Sequence, residues 1–167
     1  MNPLAWSFRT LFGLGALACA GLLAFALYLQ YWHYLDPCPL CIFQRIAFIA
    51  LGLVFLVGAL HGPRGRVGRS VYGALALLAA GGGAAVAARH VWLQSLPPDE
   101  VPACSSMGLD YMVGTLPLGE VVRRVFSGSG ECAVIDWSFL GLSMPAWTLL
   151  WFVALAAVAL AAALRRG

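Results

Sequence analysis

Four of the five cysteines sit where thiol chemistry can occur. Cys38 and Cys41 form a Cys-x-x-Cys pair inside Asp36-Pro37-Cys38-Pro39-Leu40-Cys41. A bridge of that spacing closes a very small ring, which suits a reducible, catalytic disulfide better than a structural staple. The prolines stiffen the approach, and Cys41 is placed at or near the start of a helix. Backbone N–H groups and the helix dipole there favour a thiolate. Arg45 follows four residues on, so it shares a helical face with Cys41 and supports the anion or an electronegative acceptor beside it. The competing role for Arg45 is to snorkel to the lipid headgroups. Cys104 and Cys132 form a second, widely spaced pair, separated by 27 residues that include Gly, Ser and Pro. Four cysteines allow three connectivities, and all three stay open.

These residues need elements to hold them, and composition says which. Hydrophobic residues make up 62% of the 167-residue chain and charged ones 10%, against about 25% charged in an ordinary soluble domain. A soluble fold of this length cannot hide so much apolar surface, so the bilayer must act as solvent. Spans of about 20 apolar residues are required, and four are present, at about 10–32, 42–60, 71–93 and 144–164. The expected fold is an all-α, four-helix transmembrane bundle in one domain covering residues 1–167. The 33–41 and 94–143 segments are its two outer loops, and 61–70 its inner one. Within the second outer loop, Leu118, Val121, Val122 and Val125 recur at helical spacing between Pro117 and Phe126. That pattern predicts a short amphipathic surface helix, either lying on the membrane or packed on the bundle.

Charge orients the bundle. Arg9, Arg64, Arg66, Arg69, Arg165 and Arg166 fall in the termini and the inner loop, and every acidic residue falls in the other two loops. The positive-inside rule puts both termini in the cytoplasm and all four of these cysteines outside, where an oxidising envelope permits disulfides. Tyr28, Tyr31, Trp32 and Tyr34 make an aromatic belt at the outer end of the first span. His90 closes the outer end of the third, either as a snorkelling residue or as a site group at the depth of Arg45, and Gln94 lies one turn beyond. Gly73, Gly81, Ala84 and Ala88 along that helix permit close packing. Cys19 reads as a small buried hydrophobe rather than a lipoprotein cleavage site, because the apolar run continues past it. With no lysine and a net charge of +3, nucleic-acid binding has no support. A Cys₄ zinc site is disfavoured by the wide second spacing, and no metal is expected.

Taken together, these segments resemble the DsbB family of bacterial inner-membrane disulfide-generating proteins over nearly the whole chain. The segments that carry the likeness are Cys38-Pro39-Leu40-Cys41-Ile42-Phe43-Gln44-Arg45, His90 to Gln94, Leu116-Pro117-Leu118, Ser127 to Cys132, and Trp137-Ser138-Phe139-Leu140-Gly141-Leu142-Ser143-Met144-Pro145. Gln44 stands where many relatives carry an acidic residue, which puts a proton-handling role there in question. The resemblance implies a thiol:quinone oxidoreductase. A periplasmic, thioredoxin-fold DsbA-like oxidase would attack a Cys104–Cys132 disulfide at Cys104. Electrons would pass to Cys38–Cys41, and a Cys41 thiolate would reduce ubiquinone or menaquinone near Arg45 and His90, with Gln94 at the same level. Two alternatives are a vitamin K epoxide reductase-like protein, in which the Cys-x-x-Cys usually comes later in the chain, and a structural membrane protein with stapled loops.

Overall fold

The computed structural model describes residues 7–97, 99–101, 114–117, 119–120, 130–135 and 137–164. Four helices are long and apolar enough to cross a membrane: α1 (Phe8–His33), α2 (Pro39–His61), α3 (Arg66–Gln94) and α4 (Met144–Leu164). The chain is thus an all-α membrane protein built as a four-helix transmembrane bundle.

Local chemistry sets the helix ends. The Ser7 side chain accepts from the Thr10 amide at 3.2 Å and caps α1, satisfying one of the donors that a helix start leaves open. Cys38 is the extended N-cap of α2, and Pro39 follows as its first helical residue, where a missing N–H costs nothing. Gly62 ends α2 in the left-handed region at φ 56°, as a glycine C-cap does. A two-residue turn, Leu140-Gly141, joins strands β1 (Ser138–Phe139) and β2 (Leu142–Ser143) with both residues at positive φ. The hairpin leads straight into α4, and the Trp147 indole donates to the Phe139 carbonyl at 3.1 Å.

Packing is tightest where small residues meet aromatic rings. The buried residues of α3 include Gly73, Ala76, Ala80, Gly83, Ala87 and His90, an alternation of three and four that marks one helical face. A Cβ on Gly73 would lie 2.5 Å from Ala163, and one on Gly83 only 2.3 Å from the Phe152 ring. Of the small residues expected to pack, Gly73 therefore does so and Ala84 packs at the edge of the core. Gly81 faces open space and Ala88 is exposed. Both lie off the buried stripe, and Gly83 takes the role given to Gly81. Phe152 stacks on Phe48 at 4.0 Å, which ties α2 to the α3–α4 pair.

At one end of the bundle, Arg9 donates to the Ala59 carbonyl at 3.0 Å and Arg69 to the Pro63 carbonyl at 3.1 Å. The opposite end carries exposed Tyr31, Trp32 and Tyr34 and receives the Cys38 and Cys132 segments. Most of the expected amphipathic segment, like Cys104, lies outside the described residues.

Candidate functional site

The start of α2 presents the first cysteine pair. An extended N-cap followed by proline turns Cys38 back over the first helical turn, and its Sγ lies 3.2 Å from that of Cys41. One turn further along, the Arg45 guanidinium reaches across to α1, donating to the Gln30 side chain and to the Ala26 carbonyl at 3.2 Å. These contacts hold the guanidinium against α1, one helical turn from Cys41.

From the segment between α3 and α4, a 3-10 turn at Gly130–Ala133 packs on α3 near its C-terminal end. It buries Cys132 among Leu40, Val86 and Leu93, together with part-buried Cys38. Cys38, His90 and Cys132 each bring a sulfur or ring nitrogen within 4.8 Å of the other two. One cysteine of each pair is thereby placed within easy reach of the other, needing a shift of a few ångström to bond.

His90 is not an interfacial side chain. It is 2% exposed, as its place on the buried stripe of α3 dictates. Its Nδ1 meets the Gln44 carboxamide at 3.0 Å, and its Nε2 lies 3.8 Å from Cys38 Sγ. Gln44 is 3% exposed and is held in turn by the Thr148 hydroxyl of α4. Neighbouring Arg89 turns away and lies over the Trp92 ring, 4.1 Å from its centroid. Reading the sequence gave Gln44 no assured role and missed Thr148. The available signal was a lone polar group near the start of the strongly apolar α4.

Between α1, α2 and α4 lies a cavity of about 540 Å³, within the range that holds a small organic ligand. Its walls are largely apolar, with Leu22, Phe25, Phe48, Trp147 and Trp151 among them. Polar groups on them include Asp36, Cys41, Gln44, Arg45, His90 and Gln94. The five expected site residues other than Cys104 and Cys132 (Cys38, Cys41, Arg45, His90 and Gln94) therefore share one cavity.

Comparison with known proteins agrees with the geometry. The family model described as "Disulfide bond formation protein DsbB" matches residues 8–162. Proteins named "Disulfide bond formation protein B" are similar throughout. One from Xanthomonas euvesicatoria is 58% identical over 160 residues, covering 96% of this chain and 92% of the relative. One from Chromohalobacter salexigens is 58% identical over 142 residues, covering 85% and 82%. One from Hahella chejuensis is 53% identical over 150 residues, covering 90% of each chain.

Proposed function

Since the chain belongs to the DsbB family of disulfide bond formation proteins, we propose that it re-oxidises a periplasmic DsbA-like dithiol oxidase and passes the electrons to a membrane quinone. The observation that carries this reading is the meeting of the two outer segments. Cys132 lies beside Cys38, and the partner of Cys38, Cys41, lines a largely apolar cavity with Arg45.

The exchange steps are those that the family resemblance implies, and the positions of Cys38, Cys41 and Cys132 are consistent with them. A thiolate of the soluble oxidase attacks a Cys104–Cys132 disulfide at Cys104, giving a mixed disulfide and a Cys132 thiolate. Cys132 then attacks Cys38 of a Cys38–Cys41 disulfide, forming a Cys38–Cys132 bond and releasing Cys41 as a thiolate. The nearby Arg45 guanidinium stabilises that anion, and the dry surroundings strengthen the attraction. Arg45, His90 and Gln94 in this reading hold the quinone head, and the apolar cavity wall takes its tail. The quinone supplies a two-electron acceptor. In this reading the protein spans the bacterial inner membrane with both termini in the cytoplasm. The arginines gathered at the end of the bundle away from the cysteines support that orientation.

Quinone reduction by purified protein, followed optically with a reduced thioredoxin-fold donor, tests the proposal. Turnover should be lost when Cys38, Cys41, Cys104 or Cys132 becomes serine. No turnover with ubiquinone or menaquinone, despite formed disulfides and a competent donor, would leave a stapled membrane scaffold as the reading.

Two further variants are informative. Arg45→Ala should raise the KM for quinone about tenfold, the effect of losing a charge-assisted hydrogen bond worth about 1.5 kcal/mol. An unchanged KM would remove Arg45 from the quinone site. Cys19, by contrast, is buried against Gly52 in the middle of the bundle. Cys19→Ala should keep turnover within about twofold of wild type, because the change removes only a small apolar contact. Full loss there would mean that the relay is wrongly assigned.

A further inference from the structure

Three helices each put one polar side chain behind the first cysteine pair: Gln44 from α2, His90 from α3 and Thr148 from α4. Buried polar groups persist when they are paired, and the order of pairing decides which imidazole nitrogen carries hydrogen. Gln44 occupies Nδ1, which leaves Nε2 for Cys38. The Thr148 hydroxyl has two acceptors within reach, Gln44 Oε1 and the Pro145 carbonyl at 2.9 Å.

Two hydrogen-bond polarities therefore satisfy every member. When Thr148 donates to Gln44 Oε1, Gln44 Nε2 donates to Nδ1, and His90 presents Nε2–H to the Cys38 sulfur. When Thr148 donates to Pro145, a half-turned Gln44 carboxamide donates to Thr148 and accepts from Nδ1–H. His90 then offers the Nε2 lone pair to the Cys38 thiol. A carboxamide can serve both arrangements because it carries a donor and an acceptor.

Building on the thiol:quinone reading above, we infer that His90 carries the proton of Cys38, and that Gln44 and Thr148 are positioning residues that let Nε2 alternate between acceptor and donor. Once the oxidised donor has left and the Cys104 thiolate returns to Cys132, Cys38 is displaced and takes up a proton beside the Cys41 thiolate. Closing the Cys38–Cys41 disulfide then breaks the Cys38 S–H bond and makes one S–S bond. Two electrons leave the sulfurs for the quinone, which takes up two protons, one from Cys38 and one from the medium. His90 Nε2 receives the Cys38 proton as that sulfur attacks, and releases it into the cavity that His90 itself lines. The titratable groups facing His90 are Cys38 and Cys132, with Cys41, Arg45 and Asp36 on the same cavity wall. Among the described residues, α1 and α4 add none to that wall.

The test uses His90→Asn, which keeps an amide in the place of Nδ1 for Gln44 but deletes Nε2. In reduced, quinone-free protein, alkylation of Cys38 by iodoacetamide is followed site by site by mass spectrometry across a pH series. His90→Asn should slow it about tenfold at neutral pH, with the deficit closing as the medium becomes alkaline. In steady turnover, kcat should fall about 10²-fold. Gln44→Leu should reproduce part of both losses. Gln44→Glu, which still accepts from Nδ1–H and so keeps the arrangement in which Nε2 accepts, should leave Cys38 alkylation near wild type.

Alkylation unaltered in His90→Asn would overturn the inference and leave His90 with its quinone-holding role alone. Slowing by the same factor at every pH, or a Gln44→Glu variant as slow as Gln44→Leu, would reduce the network to packing. Wild-type protein lacking quinone turnover, with the pH-dependent alkylation difference intact, would sink the thiol:quinone reading while leaving the His90–Cys38 coupling in place.

Discussion

Cys41→Ser should abolish steady quinone reduction, lowering it on the order of 10⁴-fold or more, as loss of a reacting nucleophile does. A serine hydroxyl neither forms the disulfide that Cys132 must attack nor ionises to replace a thiolate. The variant should still meet its soluble donor. Cys104 and Cys132 lie on a separate segment, so about one equivalent of donor should be oxidised before the reaction stops. Stopped-flow measurement of donor oxidation beside quinone absorbance distinguishes that single event from turnover. Continued cycling with Ser at position 41 would show that electrons leave the protein by another route.

The largest effect on stability should come from Gly83→Val. A Cβ at Gly83 would meet three atoms of the Phe152 ring at less than 3 Å. Phe152 has little room to retreat, because it is fully buried and stacked on Phe48. Overpacking of this kind costs about 1–3 kcal/mol, and the upper part of that range is expected where the ring is fully buried and stacked. Thermal unfolding in detergent should show a clear fall in midpoint. Gly81→Ala, two residues away and facing open space, should be neutral or gain up to about 1 kcal/mol from better helix propensity. Combining Gly83→Val with Phe152→Ala should recover part of the loss. Strict additivity of the two changes would mean that the glycine and the ring are not in contact.

These two variants also mark what a sequence discloses. The four spans are visible because a bilayer demands long apolar runs, a requirement written in composition alone. The Cys38–Cys41 pair and Arg45 are visible because their chemistry lies within one helical turn. The choice between Gly81 and Gly83 depends on how α3 is rotated, and a small residue looks the same on either face. The alternation from Gly73 through Ala80 and Ala87 carries that rotation, and following it places His90 inside the bundle rather than at its rim. No comparable signal links Gln44, His90 and Thr148, whose meeting depends on the relative heights of three helices. The nearness of Cys132 to Cys38 is likewise a product of loop packing, with no local pattern to announce it.

The hairpin at the head of α4 acts as a mooring. Trp147 fastens β1 to the helix, so the chain leaving Cys132 is anchored from Ser138 onward. Between Ala133 and Ser138 the backbone can stretch about 18 Å at most. Cys132 is thus kept on a short leash above Cys38, and its effective concentration there stays in about the millimolar range even when the 3-10 turn lifts away. A soluble competitor thiol, however abundant in dilute surroundings, would have to exceed that local supply before it could divert the exchange.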